Sequence, residues 1–484
     1  MDDSYIYSGT LHVSLDKVQP LYQAADLLQL DYVRDTCSSY MAMNVGRSTC
    51  VDLYKFSDVF SVDSVQKPCL HLIHRNFAEV ASSEEFCSMS VNQLTEIISH
   101  DELDVKEETK VWEAVVRWVQ YSKQDRLHHL PSILPHIRYN LLTSDDTAAI
   151  LEHPLVREDP GSSEVIRNMV QKGNPDLKPR LGMTTEMILM YNSDYNSKDL
   201  FFMNPREGKY ISCTYKQEDL PPARTMTVTS DNDIYIMQSE DRKLSLFKYN
   251  HAENVWKQVG VSSSNGPADD LYETNFYEVD GVLYYLAVNP EEERPLLQVI
   301  KYNPHTNQWQ ECSQLQLRET LYHSATVPCG SHLYFLRSEE VHCYNPSQDQ
   351  WSKRTPPIDV PDPCTAVAMG TNIFCIDFEF TQTLVYNTES DCWQVLQGWP
   401  NPRNLGMKYR PTLFVMENQL HALLDVDDPD REWSPTSCTH HVYVYDRSAD
   451  AWRDLKTTLP DEKYDTYGPH CPVARLYLPY LKET

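Results

Sequence analysis

Cys69, His71 and His74 fall within six residues of one another and are side-chain types that ligate zinc. A closed zinc site needs four regularly spaced ligands, and no second ligand pair lies nearby. Cys69 therefore reads as a core thiol on an apolar helix face. His128 and His129 could move protons, but nothing nucleophilic is spaced with them, and they read as a solvated pair at a helix end. His323, His342, His421, His440 and His441 could bind copper with Tyr and Cys, yet no spacing selects them. No glycine-rich phosphate loop, Gly-x-Ser-x-Gly elbow or His-Glu-x-x-His occurs. The expectation is a non-catalytic chain with no cofactor and no metal.

Composition narrows the partners. The 42 Lys and Arg against 70 Asp and Glu give a net charge of −28 over 484 residues, which repels phosphate backbones and anionic headgroups. Nucleic acid and membrane surfaces are not expected as partners. No stretch approaches the roughly 18 apolar residues of a membrane span, and Met1-Asp2-Asp3-Ser4 lacks a signal peptide's basic start. The 13 cysteines are scattered, never in a Cys-x-x-Cys pair, as in a reduced compartment. A cytoplasmic protein is expected, with the nucleus or the cytoskeleton as alternatives.

The elements change character along the chain. Val18, Leu21, Tyr22, Ala25 and Leu28 recur at the helical period, as do Val33, Cys37, Tyr40 and Met41, then Val65, Cys69, Leu72 and Ile73. Ser90 with Gln93 is a capping-box signature ahead of Val91, Leu94, Ile97 and Ile98; Asp104 with Glu107 predicts a second helix start before Val111, Val115, Trp118 and Val119. Short polar joints predict antiparallel helical hairpins. Gly173, Asn174, Pro175 and Pro179 then mark a linker, and short β-branched and aromatic runs follow.

In that second region one signature recurs. Tyr249-Asn250, Tyr302-Asn303, Tyr344-Asn345, Tyr386-Asn387 and Tyr445-Asp446 are each followed, seven residues after the Tyr, by Trp256, Trp309, Trp351, Trp393 and Trp452. Met203-Asn204 with Tyr210 is a weaker first copy, making six units. Turn pairs precede strands upstream: Asp231-Asn232, Asp280-Gly281, Gly330-Ser331, Gly370-Thr371 and Glu417-Asn418. Units of about 40–60 residues with several strands and a repeating aromatic predict a β-propeller blade. The Trp is expected between adjacent sheets and the Asn or Asp at the hairpin turn. The first unit holds only three strands, Met187–Tyr191, Leu200–Met203 and Tyr210–Cys213, so Val473–Leu478 is expected to supply the fourth and close the ring. The Ser-x-Asp-x-Gly-x-x-Trp boxes of a sialidase-like propeller are lacking.

These repeats resemble the kelch motif, and the helical region resembles the tail of a BTB domain followed by a BACK domain. Tyr5 to Leu11, Ala24-Ala25 through Leu30, and Cys37 are similar to the end of a BTB fold; Phe77 to Phe86, Asp101-Glu102-Leu103, Trp118-Val119, Arg126 and Ile137-Arg138 follow the BACK pattern. The doubled glycine of kelch blades is replaced by the turn pairs above. The expected organisation is a BTB remnant over 1–47, a BACK-type helical domain over 48–172, a linker over 173–182 and an all-β six-bladed propeller over 183–484. The resemblance implies an adaptor of a cullin-3 RING ubiquitin ligase, with the helices facing the cullin and the propeller holding the substrate. A cytoskeletal or scaffolding kelch protein is the alternative. The greater part of a BTB domain is absent ahead of Tyr5, so a shorter, monomeric form is expected.

By resemblance, Val51, Leu53, Tyr54 and Phe56 are candidates for facing cullin; the same four could equally pack the helical array. Kelch domains use the loop after the apolar-aromatic strand to face substrate. Here those loops carry Arg242, Glu291, Glu292, Arg294, Glu339, Glu340, Asp377, Glu379, Asp427, Asp428 and Arg431, with Trp433 as a candidate aromatic anchor. Gathered on one face, the acids would form a negative bowl for a Lys- or Arg-rich segment; scattered, they would only keep the protein soluble.

Overall fold

The computed structural model describes residues 11–172, 178–192, 199–215, 225–240, 243–262, 273–288, 293–318, 323–358, 360–398, 410–427, 438–457, 464–465 and 471–481. The chain divides into a helical unit, Met1–Thr184, and a β unit, Thr185–Thr484. No helix among the described residues is long and apolar enough to cross a membrane.

Short amphipathic helices build the first unit: Val18–Leu27, Asp31–Met43, Cys50–Phe60, Asp63–Arg75, Val91–Ser99, Thr109–Tyr121, Ser144–Glu152 and Pro160–Lys172 are the longest. Their apolar faces form one core that includes Val33, Tyr54, Cys69, Ile97 and Trp118. The Ser90 capping box forms in full, its side chain accepting from Gln93 N while Gln93 Oε1 accepts from Ser90 N. The Asp104 and Glu107 signature does not act as a cap. That helix starts at Thr109, and the preceding Glu108 makes no cap bond because Arg180 occupies its carboxylate.

The Arg180 contact is the most buried ionic knot of this unit. Arg180 and Glu108 are both fully buried and meet in a bidentate pair at 2.9 and 2.7 Å. The guanidinium also donates to the carbonyls of Ile98, His100 and His136. Arg138 joins it through its backbone N–H to Glu108 at 3.0 Å and through its side chain to Asp101. Gly182 lies so close to the backbone of Val105 that a Cβ would sit 2.5 Å from its nitrogen. Segment 178–184 is thereby sewn onto the helices.

Six antiparallel sheets form the second unit. The innermost strands are Val473–Leu476 in blade 1, Thr225–Val228 in blade 2, Glu273–Val279 in blade 3, Ala325–Cys329 in blade 4, Pro363–Met369 in blade 5 and Thr412–Met416 in blade 6. From blade 2 to blade 6 sequential neighbours touch, and the strand of blade 6 touches that of blade 1. Closure is as the sequence predicts: Val473–Leu476 pairs with Thr185–Asn192 in the register Thr185↔Leu476 to Ile188↔Val473. The all-β six-bladed propeller is therefore complete, leaving a cavity of about 240 Å³ between the inner strands, lined by residues such as Val228, Val327, Val367, Leu413, Phe414 and Val473.

The repeating signature is a joint. In each of blades 2 to 6 the Tyr hydroxyl donates to an Asn or Asp five residues on: Tyr249 to Asn254, Tyr302 to Asn307, Tyr344 to Asp349, Tyr386 to Asp391 and Tyr445 to Asp450. Every one of these acceptors has positive φ, between 45° and 54°, where Asn and Asp are tolerated best after Gly. The residue after the Tyr caps the turn, as Asn345 Oδ1 does by accepting from Ser347 N and Gln348 N. In blades 4 to 6 the Trp then ties its blade to the one before, whereas the Nε1 groups of Trp256 and Trp309 have no hydrogen-bond partner among the described residues. Trp351 Nε1 donates to the Ser313 carbonyl, Trp393 Nε1 to Thr355 and Trp452 Nε1 to Gln397.

Candidate partner-binding face

Strand alternation decides which loops share an end. With four antiparallel strands per blade, the turns after the first and third strands lie at one end, and the loops after the second strand and the blade-to-blade connections lie at the other. Glu293, Arg294, Glu339, Glu340, Asp377 and Glu379 all belong to the second end. Glu293, Arg294, Glu339 and Glu379 are exposed there.

Other predicted acids turn inward. Glu340 and Asp377 are buried. Glu340 sits 3.2 Å from His342 Nε2 and 3.6 Å from Arg337, both buried as well. Burial alone would raise its carboxyl, but the bond to His342, its charge and the Arg337 guanidinium carry it below the usual range. Asp377 accepts from Thr381 N and Oγ1 and from Gln382 N, which closes the loop on itself. Asp425 is buried against His440. Asp427 ends the strand Gln419–Asp427, while Arg242, Glu291, Glu292, Asp428, Arg431 and Trp433 lie outside the described residues.

A group that the sequence did not single out gathers where the inner strands begin, at the second end of the ring. Glu273 opens the inner strand of blade 3 and Arg410 precedes that of blade 6, the blade opposite, yet the two side chains meet at 2.8 Å. His323, ahead of blade 4's inner strand, stacks on Phe378 with ring centres 5.3 Å apart, and its Nδ1 has no hydrogen-bond partner. Its pKa is lowered by burial and then by Arg410, against the opposing pull of Glu273 and Asp362. Asp362 accepts from Ser338 N and Oγ at 2.8 and 2.6 Å, tying the blade 4 loop to the blade 5 entry. No local spacing could have revealed this set, because its members come from connections far apart in the chain.

Val51, Leu53, Tyr54 and Phe56 are all buried in the helical core. Tyr54 donates to Glu96 at 2.5 Å, and Phe56 meets Tyr22 edge-on at 5.5 Å and stacks on Phe60 at 4.7 Å. The exposed positions of that helix are Asp52, Asp58 and Val59. Cys69 is buried too, its thiol pushed up to about 12 by burial. His74 stacks on His100 at 4.4 Å, and the ring of His128 lies tilted against His129 at 3.9 Å. Among the described residues no three His, Cys, Asp or Glu side chains converge as a metal site, and every cysteine whose side chain is described is a free thiol.

Comparison with known proteins adds sequence to this geometry. The model of the BACK domain, "BTB And C-terminal Kelch", matches residues 50–152, within the helical unit. Human Kelch repeat and BTB domain-containing protein 6 is 24% identical over 517 residues, covering 98% of this chain and 73% of the relative. The chain is similar to BTB-BACK-kelch proteins in its BACK-matched helices and its six-bladed propeller. Human Kelch repeat and BTB domain-containing protein 2 is 25% identical, with 99% of this chain and 82% of the relative covered. Kelch-like protein 25 of Xenopus tropicalis is 23% identical over 80% of this chain and 70% of its own length. The relatives' alignments run through the helical unit and the propeller alike. The residues from Tyr5 to Thr10 compared with the end of a BTB fold lie outside the described ones.

Proposed function

We propose that this chain is the substrate-recognition adaptor of a cullin-3 RING ubiquitin ligase, the helical unit meeting the cullin and the loop-bearing end of the propeller holding a protein substrate. The observation that carries the reading is the joining, in one chain, of a BACK-matched helical array to a ring closed by its own C-terminal strand. A rigid ring with loops at one end is a scaffold for recognition. Positioning is then all that this chain contributes: it raises the local concentration of substrate lysines near ubiquitin carried by other subunits. Because Val51, Leu53, Tyr54 and Phe56 pack inward, the cullin-facing role of their helix falls to Asp52, Asp58 and Val59.

Calorimetry of the purified chain with the N-terminal domain of cullin-3 tests this. Micromolar or tighter binding, weakened by Val59→Asp, is expected. A folded chain with no heat of binding overturns the cullin half of the reading and leaves a partner-binding kelch protein.

A further inference from the structure

The outer strand of each blade is a sheet edge, and a bare edge is a template on which another chain can add a strand. Five of the edges are guarded. Lys209–Thr214, Val255–Val261, Gln308–Glu311, Gln350–Arg354 and Ala451–Asp454 carry the exposed charges Lys209, Lys257, Glu311, Lys353 and Arg453. Blade 2 adds a register shift between Leu246 and Phe247, and the edges of blades 3 and 6 are only four residues long.

Blade 5 has none of these guards. Its edge, Cys392–Gln397, reads Cys-Trp-Gln-Val-Leu-Gln, six residues without a charge in unbroken register with Gln382–Asn387. Cys392, Gln394, Val395 and Gln397 are exposed, and Val395 keeps 57% of its surface in water. The far end is engaged, Gln397 donating its N–H to Asp450 and accepting at its carbonyl from Trp452 Nε1. Among the described residues, the backbone of Trp393 to Leu396 bonds only to the neighbouring strand of its own blade.

Charge selects the occupant. A chain of net charge −28 holds its copies apart over most of its surface. Two blade 5 edges meeting antiparallel about a two-fold axis set no ionised side chain opposite another, whereas each of the other edges would bring like charges towards its own copy. We infer that the blade 5 edge is a self-association site, at which a second copy of this chain adds its own Cys392–Gln397 strand to form one continuous sheet across two propellers. Such a pairing is isologous and closes at two. It uses no BTB surface, so it departs from the monomer expected from the sequence, and it stands independently of the adaptor reading. One short edge buries less than a standard interface, so the dissociation constant is expected on the order of 10–100 µM.

Sedimentation velocity of the full chain tests this, under reducing conditions that keep the exposed Cys392 from cross-linking. Between about 1 and 300 µM the chain should pass from monomer to dimer. Because the edge is uncharged and the bodies repel, association should tighten about threefold as NaCl rises from roughly 50 to 500 mM. Val395→Lys, which gives blade 5 the guard of its neighbours, should weaken association about tenfold or more. Val395→Thr, β-branched and uncharged, should stay near the parent, and so should Val261→Lys, which adds the same charge at an exposed apolar position on the edge of blade 2. Equal thermal unfolding of parent and variants checks the fold. A chain that stays monomeric throughout, a dimer that loosens with salt, one that survives Val395→Lys, or one that falls equally to Val261→Lys overturns the inference. Each of these results leaves the calorimetry with cullin, and the adaptor reading it tests, untouched.

Discussion

The side-chain amide of Asn232 pairs with the backbone of Arg475, donating to its carbonyl and accepting from its N–H, both at 2.7 Å. Asn232 belongs to the first turn of blade 2 and adopts φ 62°, whereas Arg475 lies in the closing strand of blade 1. One residue therefore imitates a strand edge and holds the C-terminal strand from the side opposite its ladder with Thr185–Asn192. Asn232→Ala removes both bonds and places a residue with a Cβ and no local acceptor at positive φ. A loss of about 2 kcal/mol is expected. Hydrogen exchange should find the amides of 473–476 opening first, and equal protection in variant and parent would refute the latch.

The blade joints can be tested at Asp391. Its carboxylate accepts from the Tyr386 hydroxyl at 2.6 Å, from Thr355 N at 3.1 Å and from Thr355 Oγ1 at 2.9 Å, while its backbone holds φ 54°. Two contributions can be separated. Asp391→Gly keeps the backbone freedom and loses only the bonds; Asp391→Ala loses both, and should cost about 1 kcal/mol more in urea unfolding. Identical losses would mean that the left-handed turn contributes nothing measurable.

The fold was legible where a period or a spacing carried it. The seven-residue step from Tyr to Trp announces five blades, its weaker copy from Met203 to Tyr210 a sixth, and the shortage of strands in the first unit announces the closing strand, because all are consequences of local chain geometry. The Asn or Asp five residues after each Tyr was equally visible in Asn254, Asn307, Asp349, Asp391 and Asp450, and its meaning follows from its hydrogen bond and its φ. Acid in a loop, by contrast, does not say which way it points. Glu339 and Glu340 are adjacent, yet one is exposed and the other is buried against His342. The Arg410–Glu273 contact joins residues 137 apart, beyond the reach of any local pattern.

The Arg180–Glu108 pair predicts a non-additive response. Both side chains are fully buried, so Arg180→Met leaves a carboxylate without its partner, and Glu108→Leu leaves a guanidinium. Each single change is expected to cost about 3–5 kcal/mol, because the remaining charge has been taken out of water. The double variant should be less damaging than either, since it buries no unpaired charge at the pair. Thermal unfolding of the four proteins checks this, and an additive double loss would show that the pair's partners, the carbonyls of Ile98, His100 and His136, matter more than its charges.

His74 makes the helical unit sensitive to mild acid. It is buried with Nε2 unpartnered, and burial followed by the neighbouring His100 lowers its pKa to about 4. The unfolded chain, with an ordinary histidine near 6.5, takes up a proton at a pH where the folded chain does not. Stability is therefore constant above about pH 6.5 and falls as pH drops from there towards 4, by about 2 kcal/mol at pH 5 for this residue alone. His74→Phe keeps a ring against His100 and removes the proton site. Urea unfolding of parent and variant at pH 7 and pH 5 should show the variant losing about 2 kcal/mol less between the two. Parallel losses would place the acid sensitivity on other groups.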